Sequence, residues 1–301
     1  MRLDQLGIVV LNYNSFDLTT QCIDGILKYY QDRIKTVIVD NQSNDQSFNL
    51  LNENYSGWPN IHILLTEYNG GYSYGNNIGL RYLIQNYNDI EYLAIINPDV
   101  KIISNDVFET LLKRLEQDDR LAGISPLMMI HNKIKPNRWA IKNPKYIHNF
   151  LSSFAFLAPV NPLIYRSYEM DPETLVAYVD VIPGSFFVMK KDIFVQIGLL
   201  DENNFLYGEE IIIGKKIKDK EYKLGLSFED FYIHNHNSTC TSLTANFSQL
   251  KFSIRSRLYF NHSYQNKFWG IIDSLLLILF IPLKLLEIII IYCNKRLKVS
   301  K

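Results

Sequence analysis

Two apolar runs in this chain end in acid: Thr36-Val37-Ile38-Val39 leads to Asp40-Asn41-Gln42-Ser43, and Tyr92-Leu93-Ala94-Ile95-Ile96 leads to Asn97-Pro98-Asp99. Apolar runs of that length read as buried strands of an open α/β sheet, whose ligands sit just beyond the carboxyl ends of the strands. Acidic and polar tails at those ends are where a nucleotide and its metal would sit. The pattern points to an enzyme that handles a nucleotide.

The elements that must position these residues alternate. Leu6 to Leu11 reads as a strand, followed by a helical stretch with Leu18, Cys22, Ile26 and Tyr29 on one face. Val37 to Val39, Ile61 to Leu65 and Leu93 to Ile96 read as further strands, with a Gly-rich loop leading into a helix that starts near Tyr74. That order is βαβαβαβ and predicts a mostly parallel sheet. From Leu127 to Val179 the chain carries Pro136, Pro144, Pro159, Pro162 and Pro172, just after Pro126, and reads as irregular excursions over the sheet edge. Regular pattern resumes at Tyr178 to Met189, with helices over Lys191 to Ile197 and after Tyr207, and a strand at Phe231 to Ile233 that leads to His234.

Composition bounds the function. With 301 residues and 47% hydrophobic content the chain can bury a sizeable core, and Lys plus Arg balances Asp plus Glu at 31 each. No overall basic field exists to hold a nucleic-acid duplex, so nucleic acid is not an expected partner. Cys22, Cys240 and Cys293 are far apart and in no CxxC spacing, which argues against a disulfide framework or a zinc site and fits a reducing compartment. Leu6 to Leu11 is too short for a signal-peptide core, so the catalytic part is expected to stay inside the cell. From Phe268 the chain becomes nearly all apolar, interrupted by Pro282, Lys284 and Glu287. Lys284 and Glu287 are three apart and can pair on a helix. Basic residues flank the run, with Arg255, Arg257 and Lys267 before it and Lys295, Arg296, Lys298 and Lys301 after it. The expectation is helices lying in or dipping into the cytoplasmic leaflet of the membrane, peripheral or monotopic; the other reading is a buried helical hairpin or a homo-oligomer seam.

Five motifs in order, Val9 to Asn14, Val39 to Asp45, Asn69-Gly70-Gly71 with Asn76-Asn77-Ile78-Gly79, Asn97-Pro98-Asp99, and Phe205 to Glu210, carry a resemblance. The chain resembles family 2 glycosyltransferases of the GT-A fold, and most of all the rhamnosyltransferase-like members that build bacterial surface polysaccharides. The resemblance implies a Rossmann-like, mostly parallel sheet with a mixed-sheet acceptor half, to which the apolar tail adds C-terminal membrane-associating helices. It places a catalytic domain at 1–243, divided into a nucleotide-binding half (1–125) and an acceptor half (126–243), and a helical tail at 244–301.

The same resemblance assigns residues. Tyr13, Asn14, Asp40, Asn41, Asn69, Gly70 and Asn97 fall at nucleotide positions, and Gly184 and Ser185 fall beside the donor sugar. Asp99 stands at the second acid of the family's D-x-D element, with Asn97 in place of the first, and would bind a divalent cation, Mg²⁺ or Mn²⁺, bridging the diphosphate. His234 matches a late histidine that reaches metal or diphosphate, with His236 as the fallback. Glu210 falls on the general-base position of an inverting transfer and Glu209 precedes it. Here the chain departs from the family: Ile212 replaces a second acid, and Lys216 stands where Arg is usual. Other readings stay open: an Asx turn at Asp40, a β-turn at Asn97 to Asp99, and two solvated carboxylates at a helix N-terminus for the Glu pair.

The implied reaction moves a hexose, with rhamnose one candidate, from a nucleotide diphosphate donor to a hydroxyl of a lipid-linked saccharide at the membrane surface. The alternative is a catalytically degenerate member that binds nucleotide or glycan and assists a partner transferase. Hydride chemistry is disfavoured because no G-x-G-x-x-G follows the first strand, and nucleotidyl transfer because Asn12-Tyr13-Asn14-Ser15 is not a G-x-G-T-R-like loop.

Overall fold

The computed structural model describes residues 3–130, 133–134, 170–234 and 242–299. These fall into two units, one of residues 3–130, 133–134, 170–205 and 209–234, the other of 206–208 and 242–299.

The first unit is built on an eleven-stranded sheet among the described residues. β1 (Leu6–Asn12) lies parallel between β2 (Lys35–Asp40) and β4 (Tyr92–Ile96), and β3 (Ile61–Leu65) adds parallel to β2. Antiparallel β10 (Phe186–Lys190) joins β4 to β6 (Leu121–Ile130). Beyond β6 lie β11 (Lys223–His234), parallel to it, then β9 (Val176–Val179) and β8 (Met170–Asp171), each antiparallel to its neighbour. Two-residue β5 (Val100–Lys101) pairs the end of β11, and β7 (Lys133–Ile134) pairs the end of β6. The expected parallel half and mixed half are both present.

Strand alternation decides where the helices go. Ile8 and Val10 of β1 face one apolar cluster and Val9 the other; Phe186 and Val188 of β10 part from Phe187 and Met189 in the same way. The first cluster is closed by α1 (Phe16–Tyr30), α2 (Ser47–Tyr55) and α4 (Val107–Gln117). The second is closed by α3 (Gly71–Asn86), α5 (Lys191–Gln196) and α6 (Glu209–Asp219). Strands covered on both faces are why these segments read as continuous apolar runs.

Four local expectations are corrected. On α1 the buried stripe is Thr19, Cys22, Ile23, Ile26 and Tyr30, while Leu18 is exposed. α3 starts at Gly71, three residues before Tyr74. β6 runs straight through Pro126 to Ile130. Its partner β11 shifts register there, Ser227 opposing Pro126 and Phe231 opposing Leu127, and a proline is tolerated at such a bulge because the ladder is already interrupted. Pro136, Pro144, Pro159 and Pro162 lie outside the described residues, as do His236 and Cys240.

The fourth correction belongs to the second unit, which contains α7 (Leu243–Ser263) and α8 (Lys267–Val299). α8 is one helix of 33 residues that continues through Pro282, not several interrupted pieces. The expected Lys284–Glu287 pair is formed at 2.6 Å.

Candidate active site

The ends of β1 and β2 meet in register at Asn12 and Asp40. Asn12 Nδ2 donates to Asp40 Oδ2 at 2.7 Å and to Ser43 Oγ at 3.2 Å, while its Oδ1 accepts from Thr19 Oγ1 at 2.7 Å. The Ser43 N–H donates to Asp40 Oδ1 at 2.7 Å. Asp40 is thus fully buried and clamps the turn that follows its own strand. Asn14 lies above that turn with φ of 50°, in the left-handed region that Asn tolerates. Its N–H donates to Ser43 Oγ and its Oδ1 accepts from the Asn44 N–H, both at 2.9 Å. Tyr13 beside it stays exposed.

Asn41 ties this edge to the glycine loop, donating from Nδ2 to Asn69 Oδ1 at 2.9 Å and to the Gly71 carbonyl at 3.1 Å. Asn69 Oδ1 also accepts from the Gly71 N–H at 3.0 Å. Gly70 is the N-cap position of α3, and Gly71 has φ of +88°. A Cβ at Gly71 would lie 2.1 Å from the Phe205 carbonyl oxygen, the group that accepts from the Tyr72 N–H at 2.8 Å. Gly71→Ala combines left-handed strain with that clash, so it is expected to cost about 2–3 kcal/mol of stability, seen as a lower urea midpoint at unchanged m.

The centre of the site forms where β4 and β11 end and β10 begins. The Asn97 N–H donates to the Ser185 carbonyl at 2.8 Å, and the Val100 N–H to the Asn97 carbonyl at 3.1 Å, so the β-turn expected of Asn-Pro-Asp is present. That turn aims Asp99 at His234: Oδ1 and Nε2 are 3.0 Å apart, and both side chains are largely covered. A ladder of rings supports His234 from the core. Tyr30 to Phe108, Phe108 to Phe186, Phe186 to Tyr232 and Tyr232 to His234 have centroids 4.9, 5.6, 5.3 and 6.4 Å apart. Such pairs add about 0.5–1.5 kcal/mol each beyond area burial and hold the imidazole in place. The Tyr232 hydroxyl in turn lies 2.7 Å from Ser185 Oγ.

Across from this pair stands the start of α6. Gly184 leaves room for Glu210, whose Oε2 would be 3.7 Å from a Cβ built on the glycine. The Tyr72 hydroxyl donates to the Gly184 carbonyl at 2.7 Å, and the charges of Glu209, Glu210 and Asp99 together with burial hold its proton on. Glu209 Oε2 is shut off from solvent without a hydrogen-bond partner. Both residues are half-buried, so Glu209 at least is not a fully solvated carboxylate. Burial raises the pKa of both glutamates, and the charge of Glu210 raises Glu209 further, so the pair holds on to protons above the usual carboxylate range.

Residues 7–197 match the profile of glycosyl transferase family 2. The chain belongs to that family. Among its curated relatives, this transferase is 27% identical over 265 residues to the low-salt glycan biosynthesis hexosyltransferase Agl10 of Haloferax volcanii, covering 88% of this chain and 78% of that one. It is 25% identical over 144 residues to the rhamnosyltransferase WbbL of Escherichia coli, covering 47% and 52% of the two chains. Solved structures of the same fold include GalNAc-T7 with UDP, GalNAc and Mn²⁺, at a TM-score of 0.62 and 14% identity over 85% of this chain. They also include the mannosyltransferase PcManGT of Pyrobaculum calidifontis with GDP-Man and Mn²⁺, at 0.55 and 15% identity over 85% of this chain. The glycosyltransferase spans 47% and 62% of the lengths of those two structures.

The positions where this glycosyltransferase departs from the family pattern have structural roles. Ile212 is buried, and Lys216 donates from Nζ to the Leu199 carbonyl at 3.2 Å, its pKa lowered by burial. Asp201 closes its own turn by accepting from the Asn203 N–H, and Glu202 accepts from Asn77 of α3 at 2.8 Å. Sequence reasoning left out Asn12 as a site residue, and Tyr72 and Tyr232 altogether. Asn12 and Tyr72 stand inside or beside quoted motifs, but nothing in the sequence told which neighbours their polar atoms would meet.

Proposed function

We propose that this glycosyltransferase moves a hexose from a nucleotide diphosphate donor to a hydroxyl of a lipid-linked saccharide, with inversion, at the cytoplasmic membrane face. The observation that carries the reading is the pair Asp99 and His234, 3.0 Å apart, with Glu210 at the start of α6 beside Gly184. The names of the relatives support a hexose and a glycan product, and the apolar α8 supports an acceptor that resides in a membrane.

The donor brings a doubly charged diphosphate to a site rich in carboxylates, so a divalent cation is needed to balance it. The residues present fit one: a carboxylate oxygen and an imidazole nitrogen within 3.0 Å are donors that Mg²⁺ or Mn²⁺ accepts. Asp99 and His234 would hold it. No group of three or more His, Cys, Asp or Glu gathers among the described residues, so phosphate and water would complete the shell. When bound, the cation supplies positive charge against the departing nucleoside diphosphate.

The chain's own residues do the rest. Tyr13 and Asn14 receive the base and ribose at the rim, on a turn kept in shape by Asp40, Asn12 and Ser43. Asn41, Asn69 and Gly70 hold the loop that opens α3. Asn97, Gly184 and Ser185 line the wall beside the sugar. Glu210 takes the proton of the acceptor hydroxyl as it attacks the anomeric carbon from the face opposite the leaving group, a contribution of about 10²–10⁴-fold. Burial beside Glu210 raises the pKa of Glu209, which limits the negative charge gathered at the base position.

A panel of UDP-, dTDP- and GDP-sugars, scored for free nucleoside diphosphate with a lipid-linked acceptor extract, tests this reading. Release from one donor, abolished by EDTA, is expected. Nucleotide binding without release from any donor and acceptor pair would favour the partner-assisting protein instead.

A further inference from the structure

Between Phe268 and Ile291 the exposed large side chains of α8 include Phe268, Ile271, Leu275, Leu279, Leu286 and Ile290, all apolar. Its polar side chains between Gly270 and Tyr292 lie on the other face, turned toward α7. Asp273 pairs with Arg257 at 3.5 Å, Ser274 Oγ accepts from Asn261 Nδ2 at 3.2 Å, and Lys284 pairs with Glu287. A Cβ at Gly270 would lie 2.4 Å from the Asn261 carbonyl oxygen, so the two helices touch where a side chain is missing. The arrangement inverts the usual surface helix, with charge inside and hydrocarbon outside, and uses small residues and polar bonds at the seam as helices in lipid do.

Length and composition would let Lys267–Cys293 cross a bilayer. α7 argues otherwise. It runs beside α8, its Leu250, Ile254 and Arg257 facing Leu277, Phe280, Ile281 and Lys284. On its far side Ser248, Lys251, Arg255 and His262 are exposed. Crossing would carry that face into hydrocarbon, where ionised groups are strongly disfavoured. Apart from Trp269 and Ile291 near its ends, the outward residues of α8 instead fall within an arc of about 140°, the form suited to lying in an interface, and the cations on α7 complement anionic headgroups.

We propose that α7 and α8 form a two-faced hairpin seated lengthwise in one leaflet of an anionic phospholipid membrane, α8 sunk in the acyl region and α7 above it on the water side. This fixes the mode of the membrane association on which the proposed function rests. The test is spin-label depth by power saturation on the full chain, with Cys22, Cys240 and Cys293 replaced by Ser. Labels are placed at Ile271→Cys, Leu279→Cys, Ile290→Cys and Ser248→Cys, with vesicles of phosphatidylethanolamine and phosphatidylglycerol. The first three labels are expected at one shared depth below the headgroups, and Ser248→Cys in water. A spanning helix would spread positions 271 and 290 over about 28 Å of depth, through the bilayer centre, and would overturn the proposal while sparing membrane association. A chain that ignores the vesicles and shows label-to-label coupling at position 279 would make a second copy the occupant and would sink both.

Discussion

Asp99→Ala is expected to lower sugar transfer by about two to three orders of magnitude and to abolish high-affinity Mn²⁺ binding measured by calorimetry, with far-ultraviolet circular dichroism unchanged. The reasoning is electrostatic. Asp99 sits on a turn held by the main-chain hydrogen bonds from Asn97 to Ser185 and from Val100 to Asn97, which the mutation leaves in place. What it removes is the only carboxylate within 3.0 Å of His234 among the described ion pairs. Asp99→Asn separates charge from shape: it retains an oxygen ligand but not the negative charge, and an intermediate loss is expected. Full activity and unchanged Mn²⁺ affinity in Asp99→Ala would exclude this residue from the cation site.

The two glutamates are expected to part company. Glu210→Gln should lose about 10²–10⁴-fold in kcat with little change in donor affinity, because it removes the proton acceptor and keeps the volume. Glu209→Gln should stay within about tenfold of the parent, because Glu209 carries its proton near neutral pH and glutamine imitates that form. The pH profile follows from the direction of the shifts. Burial raises the pKa of Glu210, so activity falls as pH drops into that raised range and the base becomes protonated. Stability runs the other way. An unfolded Glu ionises near about 4.3, and a folded-state pKa above that means stability declines as pH rises from there to the folded value. Glu209→Gln is therefore expected to raise Tm at pH 8 and to leave it unchanged at pH 4. Equal losses of kcat in the two variants would contradict the division of roles.

Much of the fold was legible because strands covered on both faces leave unbroken apolar runs, and β1, β2 and β4 are such strands. The starts and stops were less so where distant residues decide them. α3 opens at Gly71 because its first donors are taken by Asn69 Oδ1 and by the carbonyl of Phe205, far along the chain. β6 crosses Pro126 because the irregularity sits opposite it in β11. α8 absorbs Pro282, which removes one helical hydrogen bond, within a helix long enough to continue on both sides.

The candidate site shows the same division. The acidic ends of β2 and β4 were readable from their apolar approaches, and Asp99 and His234 prove to be neighbours. For Asp40 the sequence left a nucleotide contact and an Asx turn both open, and the bond from the Ser43 N–H is that of the turn; a carboxylate closing a strand looks the same whether it faces a ligand or its own turn. Tyr72 escaped notice because an aromatic in a glycine loop carries no sign of which carbonyl its hydroxyl will find.

The measurement that tests the central claim most directly is acceptor-dependent release of nucleoside diphosphate, run side by side in the parent, Asp99→Ala and Glu210→Gln with and without Mn²⁺. The account predicts release from one donor in the parent with Mn²⁺ and near-background release in the other arms, with nucleotide binding retained in Glu210→Gln. Release that persists in Glu210→Gln, or that is indifferent to Mn²⁺ and to Asp99, would contradict it.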